Sequence, residues 1–80
     1  MGRFDGYLSE LGDSHDGHAS ARELEVAVCL SHGMDNEHAA NELHISPHTV
    51  KNHVESMLGK FSAKNRTQLI AILMRKNLIV

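Results

Sequence analysis

Seven histidines and one cysteine are the reactive side chains of this 80-residue sequence. Cys29 is alone, so it forms no internal disulfide and cannot build a four-thiolate or Cys2His2 zinc site. It falls on the apolar side of a helical pattern, where a thiol behaves as a small core residue rather than a redox sensor. His15 with His18, and His44 with His48, have loosely ligand-like spacing, but no acid or thiol completes either set. Neither a metal nor a cofactor is expected. A different group is arranged more purposefully. His48, Lys51, Asn52 and Glu55 recur at i, i+3, i+4 and i+7, on one face of a helix and opposite its apolar stripe. Lysine reaches the O6 and N7 of guanine, and asparagine pairs bidentately with adenine. Lys51, Lys60, Lys64 and Arg66 add salt-dependent attraction for phosphates.

The charge distribution agrees. Residues 1–44 carry two arginines against nine acids, a net −7, whereas residues 45–80 carry six cations against Glu55 alone, a net +5. A basic half joined to an acidic half suits an anionic partner for one face. Apolar residues make up 41 % of the chain, which excludes wholesale disorder. Aromatics make up 4 %, which argues against a base-stacking or carbohydrate platform. No apolar run nears the ~18 residues of a membrane span, and Met1 to Gly17 contains no signal-peptide core. A chain this short suits a binding module better than an enzyme with its own substrate pocket. The cytoplasm is the expected compartment.

The elements that must position these residues follow from local signals. Residues 1–18 read as a flexible segment, with Phe4, Tyr7, Leu8 and Leu11 spaced for one amphipathic turn and residues 12–17 as linker. The domain is expected over 19–80. Ser20 with Glu23 forms a capping box and opens a helix over 21–32, which Gly33 stops in a left-handed cap. Asp35 caps a second helix over 36–43, whose Ala39 and Ala40 permit close approach of a neighbour. Ser46 before Pro47 is a specific start signal for a third, over 47–61. Its Val50, Val54, Met57, Leu58 and Phe61 share one side. Thr67 is taken as the cap of a fourth helix over 68–77.

Leu69 to Met74 is apolar without a break. Leu69, Ile70, Leu73 and Met74 fit one stripe, while Ala71 and Ile72 fall outside it. Such an excess on a small domain marks an interface, and a dimer contact through Leu69, Ile72, Leu73 and Lys76 is expected. Second helix, short turn and third helix form a helix-turn-helix, with Ile45 plugging the gap and the third helix offered to a DNA major groove.

At this point the blocks Ser20-Ala21-Arg22-Glu23-Leu24-Glu25-Val26, Ile45-Ser46, Thr49-Val50-Lys51-Asn52-His53-Val54, Lys60-Phe61 and Asn65-Arg66-Thr67-Gln68 stand in a recognisable order. With Gly33, Asn36, Ala40, Leu43 and Leu58 between them, residues 20–79 resemble the LuxR/GerE-type helix-turn-helix family. The resemblance implies an all-α, four-helix domain of bacterial transcription regulators, in which the third helix reads DNA and the fourth dimerises. Most members carry the domain behind a receiver or ligand-sensing domain; this chain is similar to the few that are little more than the domain. By position, Lys51 and Asn52 resemble the base-reading residues. Thr49 and Lys60 resemble phosphate contacts, and Arg66 a phosphate or structural residue. His53 is the family's histidine beside the recognition face, holding the helix or touching phosphate.

The sequence departs from the family at Glu55, where Lys, Arg or a neutral polar residue is frequent, and at Glu37, His38 and Ala39 in the second helix. Glu55 either costs affinity beside phosphates, accepts from a cytosine N4, or pairs with Lys51 at i, i+4. The expected partners are double-stranded DNA and a second copy, with another LuxR-type regulator or RNA polymerase as further candidates. The alternative function is an interaction protein of the same fold that modulates another regulator without binding DNA.

Overall fold

Each helix of the computed structural model begins at a side-chain cap and ends at a left-handed residue. The structure describes residues 18–80. The turn expected at Phe4 to Leu11 and the linker at 12–17 lie outside them. Four helices follow in order, α1 (Ala21–Ser31), α2 (Asn36–Leu43), α3 (Pro47–Lys60) and α4 (Arg66–Arg75), and the described residues contain no strand. The class is all-α, as the resemblance implied.

At the starts, Ser20, Asp35, Ser46 and Asn65 each accept from the backbone N–H three residues on. These caps satisfy amides that have no partner inside the helix. Ser20 and Glu23 close a full capping box. The fourth start corrects the expectation. Asn65 rather than Thr67 is the cap, and α4 covers 66–75 instead of 68–77. Asparagine is the stronger N-cap, and Gln68 reaches back to accept from the Lys64 N–H at 2.6 Å.

The ends share one hydrogen-bonding pattern. Gly33, His44, Ser62 and Asn77 have φ of 88°, 59°, 53° and 60°. After each, the next N–H bonds five residues back: Met34 to Cys29, Ile45 to Ala40, Ala63 to Leu58 and Leu78 to Leu73, at 2.9–3.2 Å. This is the Schellman closure, in which a left-handed residue lets the last carbonyls be satisfied. Three of the four turns use a residue with a Cβ, which is strained there. Ser62→Gly is therefore expected to stabilise the domain by about 0.5–1 kcal/mol, after the entropy glycine adds to the unfolded chain. A melting temperature a few degrees higher in circular dichroism is the expected result; an unchanged or lower one refutes the strain.

The core lies where the four helices meet. Val26, Val50, Met57, Leu69 and Leu73 are fully buried, each such side chain worth about 1.5–3 kcal/mol when removed from water. Ala39 and Ala40 are buried on α2, and α2 with α3 makes the most extensive contact of any helix pair. Ile45 packs partly buried against this core from the turn. After α4 the chain folds back through Asn77, and Ile79 is buried against the cluster. Cys29 is buried too, and burial, with the charges of Glu42 and Glu25 adding, pushes its thiol up. A reactive thiolate is disfavoured there.

Candidate nucleic-acid interface

α3 is two-faced because its apolar residues recur at helical spacing. Val50, Val54, Met57 and Phe61 are buried, and Leu58 is half-buried at the edge. Opposite them His48, Lys51, Asn52, Glu55, Ser56 and Gly59 form one exposed stripe. The sequence pattern anticipates its first four members. It does not name Ser56 or Gly59, which continue the stripe toward the helix end. Nothing lies within 4 Å of the Cβ that a side chain at Gly59 would add, so that end of the stripe is open.

The start of α3 is fixed tightly. Pro47 occupies the first turn, the Ser46 hydroxyl accepts from the Thr49 N–H at 3.0 Å, and the two hydroxyls of Ser46 and Thr49 lie 2.9 Å apart. Thr49 is half-buried with its hydroxyl engaged in this cap. His53 is half-buried beside the stripe. Lys51 and Glu55, though spaced for a pair, form no ion pair within 4 Å; the ion pairs among the described residues are Arg22–Glu25 and Lys60–Glu23.

The other cations divide. Lys64 and Arg66 are exposed in the α3–α4 connection and the first turn of α4. The Arg66 guanidinium donates to the Asn36 Oδ1 at 2.9 Å, tying α4 to the start of α2. Lys60 is placed differently from the other basic residues. Its ammonium lies 2.8 Å from the Glu23 Oε1, with side-chain exposures of 24 % and 6 %. The same oxygen accepts from the Ser20 N–H at 3.0 Å. Burial pushes the Glu23 carboxyl up, but hydrogen bonds from Lys60, Ser20 and Ser56 outweigh it and hold it below the usual carboxylate value. A carboxyl depressed in the fold contributes stability above its unfolded value and loses it as pH falls through the folded one. The pair is therefore complete at neutral pH.

The proposed dimer residues also divide. Leu69 and Leu73 have no exposed surface and belong to the core, so neither is available to a second chain. Within the apolar run Leu69 and Leu73 face the core, Ile70 flanks them half-buried, and Ala71 and Met74 are exposed. Ile72, expected outside the stripe, is half-buried against the core. Lys76 is exposed, and the accessible apolar side chains near it are Met74, Leu78 and Val80. Among the described residues no three His, Cys, Asp or Glu side chains come together as metal ligands, and no helix is long and apolar enough to cross a membrane. His15 lies outside the described residues.

Comparison with known proteins matches this architecture. Residues 19–73 fit the model of the luxR family of bacterial regulatory proteins. The chain is 40 % identical over 58 residues to the uncharacterized transcriptional regulatory protein YxjL of Bacillus subtilis, covering 72 % of this chain and 27 % of that protein. It is 43 % identical over 47 residues to the transcriptional regulatory protein LnrK of the same organism, 59 % of this chain and 21 % of the other. It is 36 % identical over 58 residues to the response regulator protein VraR of Staphylococcus aureus, 72 % and 28 % of the two chains. The chain thus spans about a quarter of the length of these relatives. It belongs to the luxR family of bacterial regulatory proteins, whose DNA-binding helix-turn-helix domain its residues 19–73 form.

Proposed function

We propose that this chain regulates bacterial transcription by laying α3 in the major groove of double-stranded DNA, with no catalysis of its own. The observation that carries the reading is the exposed stripe of His48, Lys51, Asn52 and Glu55 on the helix after the turn, opposite a fully packed core. In helix-turn-helix proteins that face reads base edges. Lys51 and Asn52 read bases, Lys64 and Arg66 attract phosphates, and His48 and His53 flank them. Thr49, with its N–H and hydroxyl both engaged by Ser46, holds the start of the helix beside the phosphates. Residues 19–80 act as the binding domain, working at the nucleoid in the cytoplasm.

Fluorescence anisotropy with random-sequence duplexes at stepped salt tests this. The three cations on this face that form no ion pair among the described residues, Lys51, Lys64 and Arg66, predict log K falling with log salt at a slope of roughly −2 to −3. No binding at the lowest salt would remove DNA reading and leave the second function. In that function the same fold pairs with another regulator, or with RNA polymerase, and Glu55 favours it as an unpaired carboxylate in the middle of the stripe.

Dimerisation enters through the end of α4. Met74 is 43 % and Leu78 39 % exposed, beside fully exposed Val80, a small apolar patch suited to a second copy. Met74→Glu places a charge in that contact without entering the core, unlike a substitution at half-buried Ile72. It is expected to leave helicity unchanged and shift sedimentation toward the monomer. A wild type that is monomeric at high micromolar concentration removes the dimer.

A further inference from the structure

Lys60 ends the recognition helix, and its place in the sequence assigns it to the phosphates. The structure gives its ammonium a different partner: a carboxylate on α1, 37 residues earlier. Glu23 is 5 % exposed, and one of its oxygens receives both the Lys60 ammonium and the Ser20 N–H. We propose that Glu23 is a built-in counter-ion that withholds Lys60 from DNA and so limits sequence-independent binding. The proposal rests on the DNA-binding reading above.

The physical argument is a competition. A phosphate that recruits Lys60 must remove it from Glu23, leaving a charged carboxylate buried without its partner, which is strongly unfavourable. Nonspecific affinity comes from cations that release condensed counterions from DNA. A lysine already neutralised by an internal carboxylate releases none. The pair also joins the first turn of α1 to the last turn of α3, so the end of the reading helix is fixed from within the protein. A cation withheld from the backbone lowers affinity for every sequence alike, which leaves base contacts a larger share of the binding free energy.

Two substitutions separate this role from a phosphate contact. Lys60→Met removes the charge and keeps an apolar stem. Glu23→Gln removes the opposite charge while its amide oxygen still accepts from Ser20, since glutamine serves in a capping box. Thermal melts first establish the temperature at which each variant is folded, and the assay is run below it. Anisotropy with a random-sequence duplex over stepped salt is then read as a slope. Lys60→Met is expected to leave the slope unchanged. Glu23→Gln, by releasing Lys60, is expected to tighten random binding several-fold and steepen the slope by about 0.9, the value of one phosphate contact. A slope shallower by about 0.9 in Lys60→Met overturns the proposal, because it makes Lys60 a phosphate contact. An unchanged slope in Glu23→Gln overturns it as well, since the carboxylate then withholds nothing. A wild type that binds no duplex at the lowest salt instead overturns the DNA-binding reading itself, and this role with it.

Discussion

Leu73→Ala is expected to cost the domain about 2–5 kcal/mol, the range for a leucine removed from a packed core. Leu73 has no exposed surface on α4 and lies in the same cluster as Leu69 and Met57. A four-helix domain of this size has a total stability of only about 3–9 kcal/mol at ~0.05–0.15 kcal/mol per residue. The substitution therefore uses a large part of it, and the urea midpoint should fall steeply or the protein should be partly unfolded in buffer. Relaxation around the cavity sets where in the range the loss falls. The same experiment separates core from interface. Were Leu73 a dimer contact, alanine would lower the mass seen in sedimentation and leave the unfolding midpoint of the dilute protein unchanged. That pattern would falsify the core placement. Leu73→Met, which nearly conserves volume, should cost less than about 1.5 kcal/mol.

The difficulty with Leu73 shows which parts of the molecule were legible in the sequence. Helix starts are local: Ser20 with Glu23, Asp35, and Ser46 before Pro47 announce themselves within four residues, and all three hold. Asn65 and Thr67 are both good caps two residues apart, so propensity alone does not choose between them. The choice is made by Gln68 bonding back to Lys64 and Arg66 bonding across to Asn36. Left-handed ends are legible when glycine marks them, as at Gly33. His44 and Ser62 carry no such mark, because a side chain there is tolerated at a cost rather than required. In the run from Leu69 to Met74 every position is apolar, so the sequence gives no polar residue to say which side faces water. The contacts of α4 with α1 and α3 decide that.

The candidate site was half legible for the same reason. The stripe on α3 follows from a single helical period, since Lys51, Asn52 and Glu55 lie opposite Val50, Val54 and Met57. The pair between Glu23 and Lys60 does not. It joins the first turn of one helix to the last turn of another, and no periodicity reports a contact 37 residues apart. Glu23 was visible only as a capping residue. Its second bond arises from how α1 crosses α3.

Asn52→Ala is the substitution expected to weaken binding to a specific operator most, by about 1–3 kcal/mol, or roughly 5- to 150-fold. Asn52 is exposed on the stripe and has no hydrogen-bond partner among the described residues, so its amide is free to pair with the N6 and N7 of an adenine. A bidentate contact of this kind exists only at the right base, so the loss on a random duplex should be small and the salt slope unchanged. Lys51→Ala should also lose the specific site, and in addition weaken random binding, because its charge acts on every sequence. Glu55 makes the contrast sharper. It lies one turn beyond Lys51 on the same exposed face and forms no ion pair with it. With α3 in the groove, this carboxylate stands between phosphate rows, so Glu55→Lys should tighten random binding and steepen its salt dependence. If Glu55 accepts from a cytosine N4, Glu55→Ala also loses discrimination at one base pair. The three variants are compared by anisotropy on the operator, once selected from a random pool, and on a scrambled duplex. Equal losses on both duplexes from Asn52→Ala would take it out of base reading. A Glu55→Lys variant that binds the scrambled duplex no better than wild type would mean that the stripe does not enter a groove, and that its partner is a protein.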